Sequence, residues 1–426
     1  MKIRNIVTIL TAVGFAFATL TAEAVPSFAR DTGKNCSYCH NAWPQLSKKG
    51  RVYKELGYRM PDGDRMSFKD LAEENSVGVS ALIFARPYDK KDSAEAANTR
   101  ALHEAEIVVA GAVGENWSGF FELEAEDEAQ NAYGFEIGIP SAVLAYNHSK
   151  ALNLQFTWGE MMRADPYGLF GLHFRMTRAG TGAMNQAFDG YDGSLNSRRQ
   201  NLVLTGRPID QLFYSVGISA QADSPAGSDS TDVSEGKDAS TIHARVAFDV
   251  TKDIMIGGFM VNGQVAAHTC SAADIVDIDS DCNGGAVGEV VSSRPNQTAS
   301  DAELEYTRIG LDAQADIGNT RVQLMFVSAS DDGSAAQTGT ENDNDAMSVQ
   351  AYHVFKAASG APTWVPLIRF DSYEKNNGAD SYDELVLNVA YYFEQNIKGF
   401  VEFWDRSAQD SADDDDRLTV QLAVGF

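Results

Sequence analysis

Beyond about residue 77 the chain alternates apolar and polar positions with a period of two. Val420, Leu422, Val424 and Phe426 are interleaved with Gln421, Ala423 and Gly425. Ile242, Ala244, Val246 and Phe248 are interleaved with His243, Arg245, Ala247 and Asp249. Trp117, Gly119, Phe121 and Leu123 are set against Ser118, Phe120, Glu122 and Glu124. Successive side chains of a strand point to opposite faces of its sheet, so each segment predicts a strand with one apolar and one polar face. About sixteen such segments can be marked. They lie near 77–87, 100–113, 116–127, 134–147, 151–162, 199–206, 210–222, 240–250, 253–266, 301–314, 320–330, 346–357, 362–372, 383–393, 396–405 and 416–426.

The connections alternate in length. Short turns at 113–116, 147–151, 206–210, 250–253, 314–320, 357–362 and 393–396 separate longer polar loops at 87–100, 127–134, 162–199, 222–240, 266–301, 330–346, 372–383 and 405–416. Short turns at one rim, long loops at the other and an even strand count are the signature of an outer-membrane barrel. Tyr391, Tyr392, Phe393, Phe403 and Trp404 at strand ends fit aromatic girdles. A soluble β-sandwich also alternates, but it has no need of this loop order. The expectation is a mainly β fold, a transmembrane antiparallel β-barrel of about 16 strands over residues 73–426, in contact with outer-membrane lipid.

Residues 1–24 read differently. Lys2 and Arg4 precede an apolar run from Ile6 to Leu20 and then Thr21-Ala22-Glu23-Ala24, the layout of a cleavable export signal. The run is short for a membrane-spanning helix. Residues 25–72 then form a small, mainly helical unit. Pro44 can open a helix, Leu46, Tyr53 and Leu56 recur at roughly helical spacing, and Gly57 ends it.

Charge divides along the same boundary. The whole chain carries a formal −26, yet residues 25–70 hold nine Lys/Arg against five Asp/Glu. The acidic remainder makes nucleic acid an improbable partner. Opposite signs favour docking of the basic segment on the acidic body. A barrel of this size has a lumen wide enough to admit it. Glu122, Glu124 and Glu126 on one lumen face are the expected counterparts of Lys48, Lys49, Arg51 and Lys54.

The basic segment also carries the chemistry. Cys36-Ser37-Tyr38-Cys39-His40 has the C-x-x-C-H spacing by which haem c is attached. The two thiols become thioethers on the porphyrin, and His40 falls under the iron as proximal ligand. About 45 residues cannot bury a haem on their own, so another part of the chain must cover it. Cys270 and Cys282 stand together far downstream and are expected to form a disulfide in an oxidising compartment. A zinc site of all four cysteines is the alternative, weakened by His40 and by the lack of a second close pair.

Together with Pro26-Ser27-Phe28-Ala29-Arg30, Trp43-Pro44-Gln45-Leu46, Gly50-Arg51 and Gly57-Tyr58, this motif resembles the fused cytochrome–porins of iron-oxidising bacteria. The resemblance is motif by motif at the N-terminus and one of size and pattern in the barrel. It implies an outer-membrane iron oxidase: Fe(II) as electron donor, one haem, and a periplasmic c-type cytochrome as acceptor. Other readings are a porin whose haem segment gates or senses, and electron export to external acceptors.

The sixth iron ligand stays open at this point. Met60 and Met66 are thioether candidates, with Met60 preferred just past the helix, and His103, His148, His173 and His243 are imidazole candidates. A thioether ligand raises the potential of a haem. Tyr38 and Trp43 flank the attachment point and read mainly as packing. Acidic runs at Asp331-Asp332, Glu341–Asp345, Asp413–Asp416, and Asp277, Asp279 and Asp281 read as solvated outer loops. A second reading is that they concentrate cations.

Overall fold

The alternating segments form sixteen long antiparallel strands that close into one barrel in the computed structural model. The structure describes residues 27–60, 78–91, 97–127, 135–168, 174–181, 195–196, 198–220, 240–273, 287, 290–292, 302–332, 341–375, 378 and 380–426. The export signal, Met66, His173, Asp277, Asp279, Asp281 and Cys282 lie outside these residues.

The N-terminal segment contains helices α1 (Ser27–Thr32), α2 (Cys36–Cys39) and α3 (Lys48–Glu55), with a small hairpin of β1 (His40–Ala42) and β2 (Gln45–Leu46) between the last two. The barrel begins with β3 (Val79–Lys91), β4 (Asn98–Ala112), β5 (Trp117–Asp127), β6 (Phe135–Ser149), β7 (Leu152–Gly159), β8 (Arg199–Ile209), β9 (Leu212–Ala220) and β10 (Ser240–Asp249). It continues with β11 (Ile254–Thr269), a three-residue β12 (Val290–Ser292) on the end of β11, and β13 (Ala302–Ile317). The last six strands are β14 (Thr320–Asp332), β15 (Glu341–His353), β16 (Trp364–Lys375), β17 (Asp380–Glu394), β18 (Ile397–Ala408) and β19 (Asp415–Gly425).

Strand β19 pairs with β3, and Ala81 and Phe426 exchange backbone hydrogen bonds of 2.7 and 2.9 Å. Closure leaves no free edge, the condition for β-structure in hydrocarbon. The outward face is apolar: Ile137, Leu311 and Ile309 are 70%, 63% and 54% exposed. Such a band is a liability in water and a lipid contact in a bilayer. Their strand neighbours turn inward, as the buried Arg308 and Asp312 show on β13. Trp117 with Tyr146 and Trp364 with Tyr391 form ring pairs at the short-turn rim.

Several expectations are corrected. Tyr392 and Trp404 are not girdle residues but point into the lumen, where both are buried. The segment expected to open a helix at Pro44 instead makes the β1–β2 hairpin, and the helix starts after Ser47, which supplies the cap that proline lacks. Glu341–Asp345 are the first residues of β15 rather than loop, held by pairing with the end of β14. Asp331 is buried as the partner of Arg308. Part of the loop after β7 turns inward instead of outward. Its Met161, Met162 and Leu195 pack with Phe259, Val261 and Tyr306 of the lumen wall.

The N-terminal segment occupies the lumen at the short-turn rim, spanning it from side to side. Ser27 N donates to Ser80 Oγ on β3, Arg59 to the Gly114 and Glu115 carbonyls of the β4–β5 turn, and Tyr392 of β17 to the Trp43 carbonyl. On another side Arg207 of β8 donates to both carboxylate oxygens of Glu55 at 2.8 and 2.6 Å. The inward loop closes over it, with Gln45 Nε2 donating to the Phe174 carbonyl at 2.7 Å. The acidic ladder Glu122, Glu124 and Glu126 does not receive the plug's lysines. Lys48 and Lys49 are exposed, Lys54 turns to the Asp165 carbonyl, and Arg51 lies over Tyr167.

Candidate haem-attachment site

Cys36 and Cys39 begin and end one turn of helix, so both thiols lie on nearby turns, and His40 follows in extended conformation. Both cysteines are free thiols and half-buried. The hairpin from His40 to Leu46 swings the Pro44 carbonyl back over His40. His40 Nδ1 donates to it at 3.0 Å, since a carbonyl only accepts. That fixes the tautomer with the proton on Nδ1 and leaves the Nε2 lone pair for a metal, the usual supporting arrangement for a ligating imidazole. Burial also holds the His40 pKa down to about 4, so the ring is neutral at ordinary pH. Desolvation pushes the Cys39 thiol up to about 11, and the Cys36 thiol is raised for the same reason.

One serine joins the motif to the next helix. Ser47 N donates to the Cys39 carbonyl at 2.8 Å and its hydroxyl to the Tyr38 carbonyl at 2.8 Å. The same oxygen caps α3 by accepting from Gly50 N. Gly50 is required by contact: a Cβ there would stand 2.1 Å from the Cys39 carbonyl oxygen. The two helices meet backbone to backbone, which sets the thiols relative to the hairpin.

The hairpin tip is pinned to the wall. Trp43 stacks on Phe84 of β3 at 6.5 Å, and its carbonyl accepts from Tyr392 at 2.8 Å and from Lys398 of β18 at 3.2 Å. Trp43 is therefore a packing anchor. Tyr38 lies between Lys49 and Lys34, with the Lys49 ammonium 4.1 Å from its ring centre.

The sixth-ligand candidates are dispersed. Met60 is half-buried and follows Arg59, which is held at the β4–β5 turn. His103 is engaged on β4 with Arg100 and with Glu126 at 3.2 Å. His148 is exposed at the rim, and His243 is buried against the lumen wall. The structure brings forward Met176, a thioether that sequence reading passed over, buried in one cluster with Ala42 against which Trp43 packs. The signal available in the sequence was Met176 in a connection read as a polar loop, following Met161 and Met162 at the end of the strand expected over 151–162. Cys270 is disulfide-bonded, and with Cys36 and Cys39 free, Cys282 is the one cysteine left in the sequence.

The residues present fit a covalent haem: two free thiols one turn of helix apart, followed by a neutral imidazole oriented by the Pro44 carbonyl. No family model and no curated protein matches the sequence. Solved structures resemble it in fold. An anion-selective porin from Comamonas acidovorans superposes with a TM-score of 0.56 at 10% identity, covering 82% of this chain and 99% of its own. The outer-membrane OmpT of Vibrio cholerae gives 0.54 at 10% identity, over 82% and 98%. OmpF of Salmonella typhi, in complex with daunomycin, gives 0.51 at 15% identity, over 83% and 99%. The fold is thus that of an outer-membrane porin, and it supports the bacterial outer membrane as the place of this protein.

Proposed function

We propose that this chain carries electrons across the outer membrane, from Fe(II) outside to a periplasmic c-type cytochrome. Haem c, held by Cys36 and Cys39 with His40 on the iron, would supply the one-electron carrier. The carrying observation is the His40–Pro44 hydrogen bond beside two free thiols, in a segment tied across a porin-sized lumen.

The protein's own residues do the rest. The hairpin orients the imidazole, Ser47 and Gly50 fix the thiols, and the barrel supplies the cover that the segment lacks. Ties to β3, β5, β8, β14, β17 and β18 obstruct free diffusion past the plug and favour an electrical over a solute path. The porin fold keeps a second reading in play, a diffusion channel gated by the haem segment. Planar-bilayer conductance separates them: the electron-transfer reading expects a closed barrel, whereas steady porin-like conductance supports the gate. The test of the leading reading is anaerobic mixing of the oxidised protein with Fe(II). Rapid conversion to the reduced haem spectrum is expected, and a spectrum that stays oxidised over minutes rejects it. A strongly negative midpoint potential would favour electron export instead.

A further inference from the structure

Several lumen-facing arginines are matched to carboxylates, while Arg199 is held by the Thr241 and Tyr306 hydroxyls and Arg86 by the Gln421 amide. Arg207 meets Glu55 and Asp249, Arg245 meets Asp165 and Asp312, Arg321 meets Asp316, and Arg369 meets Asp371. Lys398 is a buried lysine held by a backbone carbonyl and a ring face. It is 6% exposed, its Nζ donates to the Trp43 carbonyl at 3.2 Å, and it sits 4.3 Å over the Trp43 ring. Among the described residues no carboxylate stands within ion-pair distance of it. A buried ammonium held by one carbonyl and a ring face is poorly compensated, because desolvation costs several kcal/mol per ion in rough terms.

The position of Lys398 says what anion belongs there. Trp43 and Pro44 are consecutive, and their carbonyls receive Lys398 Nζ and His40 Nδ1 respectively. The ammonium of β18 is therefore held at the carbonyl adjacent to the one that holds the His40 imidazole. Lys54 is the other buried lysine held by a carbonyl and a ring, but the carboxylates of Glu160 and Asp165 already act on it.

We propose that Lys398 binds a propionate carboxylate of the haem, positioning the porphyrin in the plug and raising its potential. This rests on the haem reading above. The ammonium stabilises the haem in its more negative, reduced state, so it works in the direction that accepting electrons from Fe(II) requires.

The test compares purified wild-type protein with Lys398→Gln and Lys398→Arg, all checked for a folded barrel by heat-modifiable gel mobility. Covalent haem is measured by the pyridine haemochrome spectrum, and the midpoint potential and redox-difference infrared spectrum are recorded. Lys398→Gln should keep its haem, lose part of the potential and shift one carboxylate band, and Lys398→Arg should restore both readouts. A haem-loaded Lys398→Gln with unchanged potential and carboxylate bands overturns the proposal and leaves the haem reading standing. Wild-type protein without covalent haem overturns both. Should the variants not fold, the wild type decides: a paired propionate keeps its ionised-carboxylate band well into acid pH. A band that protonates where a free carboxylate does refutes the pairing.

Discussion

The barrel wall and the plug are stabilised by opposite means. The wall repeats one device, a strand with apolar side chains outside and polar groups inside, and closes on its own backbone bonds from β19 to β3. Buried arginines such as Arg245 find carboxylates on the wall itself and on the inward loop, here Asp312 and Asp165. The plug repeats nothing. Its pieces are three short helices and a two-strand hairpin, and it leans on wall side chains donating to its carbonyls at Trp43 and Leu46. The difference teaches that the wall closes on its own backbone bonds, whereas the described part of the plug is held largely by side chains of the wall. Changes in the plug should therefore cost redox chemistry while sparing the barrel.

The sharpest way to break that comparison is the motif itself. Cys36→Ser with Cys39→Ser, or His40→Ala, should abolish the Fe(II)-dependent spectral change while the barrel keeps its heat-modifiable mobility. Loss of the barrel as well would show that the wall depends on the plug. Next is the anchor at β8. Arg207→Met leaves Glu55 and Asp249 buried without their cation, at a cost of about 3–5 kcal/mol. Amide exchange in α3 should accelerate strongly and channel conductance should appear; unchanged exchange would place the anchor elsewhere.

A smaller effect is expected at Gly50→Ala, where the added methyl meets the Cys39 carbonyl. Overpacking of this kind costs about 1–3 kcal/mol. Covalent haem per barrel should drop several-fold, and full loading would mean that α2 and α3 separate more easily than their contact suggests.

Lys54 gives a pH signature. Burial holds its pKa down to about 7 against an ordinary 10.5. The unfolded chain then binds more protons between those values, so plug stability rises with pH across that window. Below about pH 7 the destabilisation is present in full. Lys54→Met should flatten the pH dependence of α3 exchange, and a slope that persists would assign it to another group. Ser47→Ala, which removes a cap, should cost only about 1 kcal/mol, seen as modestly faster exchange at the start of α3.

The barrel was largely legible in the sequence because its code is local: a period of two survives whatever the partner strand is. Ile242 to Asp249 could be assigned faces without knowing that β9 and β11 flank them. The C-x-x-C-H spacing is local too, contained within five residues, and the structure sets Cys36 and Cys39 at the two ends of one helical turn. What escaped was decided by distant contact. The inward turn of the loop after β7 depends on the lumen surface that receives Met161 and Met162. The pairing of Glu55 with Arg207 joins residues 152 apart in the chain. The expected match of Glu122, Glu124 and Glu126 with the plug's lysines failed because charge sign says which groups attract but not which are close.

The central claim is that one haem in a plugged barrel connects the two sides of a membrane. It is tested most directly with the protein in sealed liposomes holding an oxidised soluble c-type cytochrome, with Fe(II) added only outside. The account predicts that the enclosed cytochrome becomes reduced with wild-type protein and stays oxidised with His40→Ala. Equal reduction by both, or none by the wild type once its haem is confirmed and part of its population faces the right way, contradicts it.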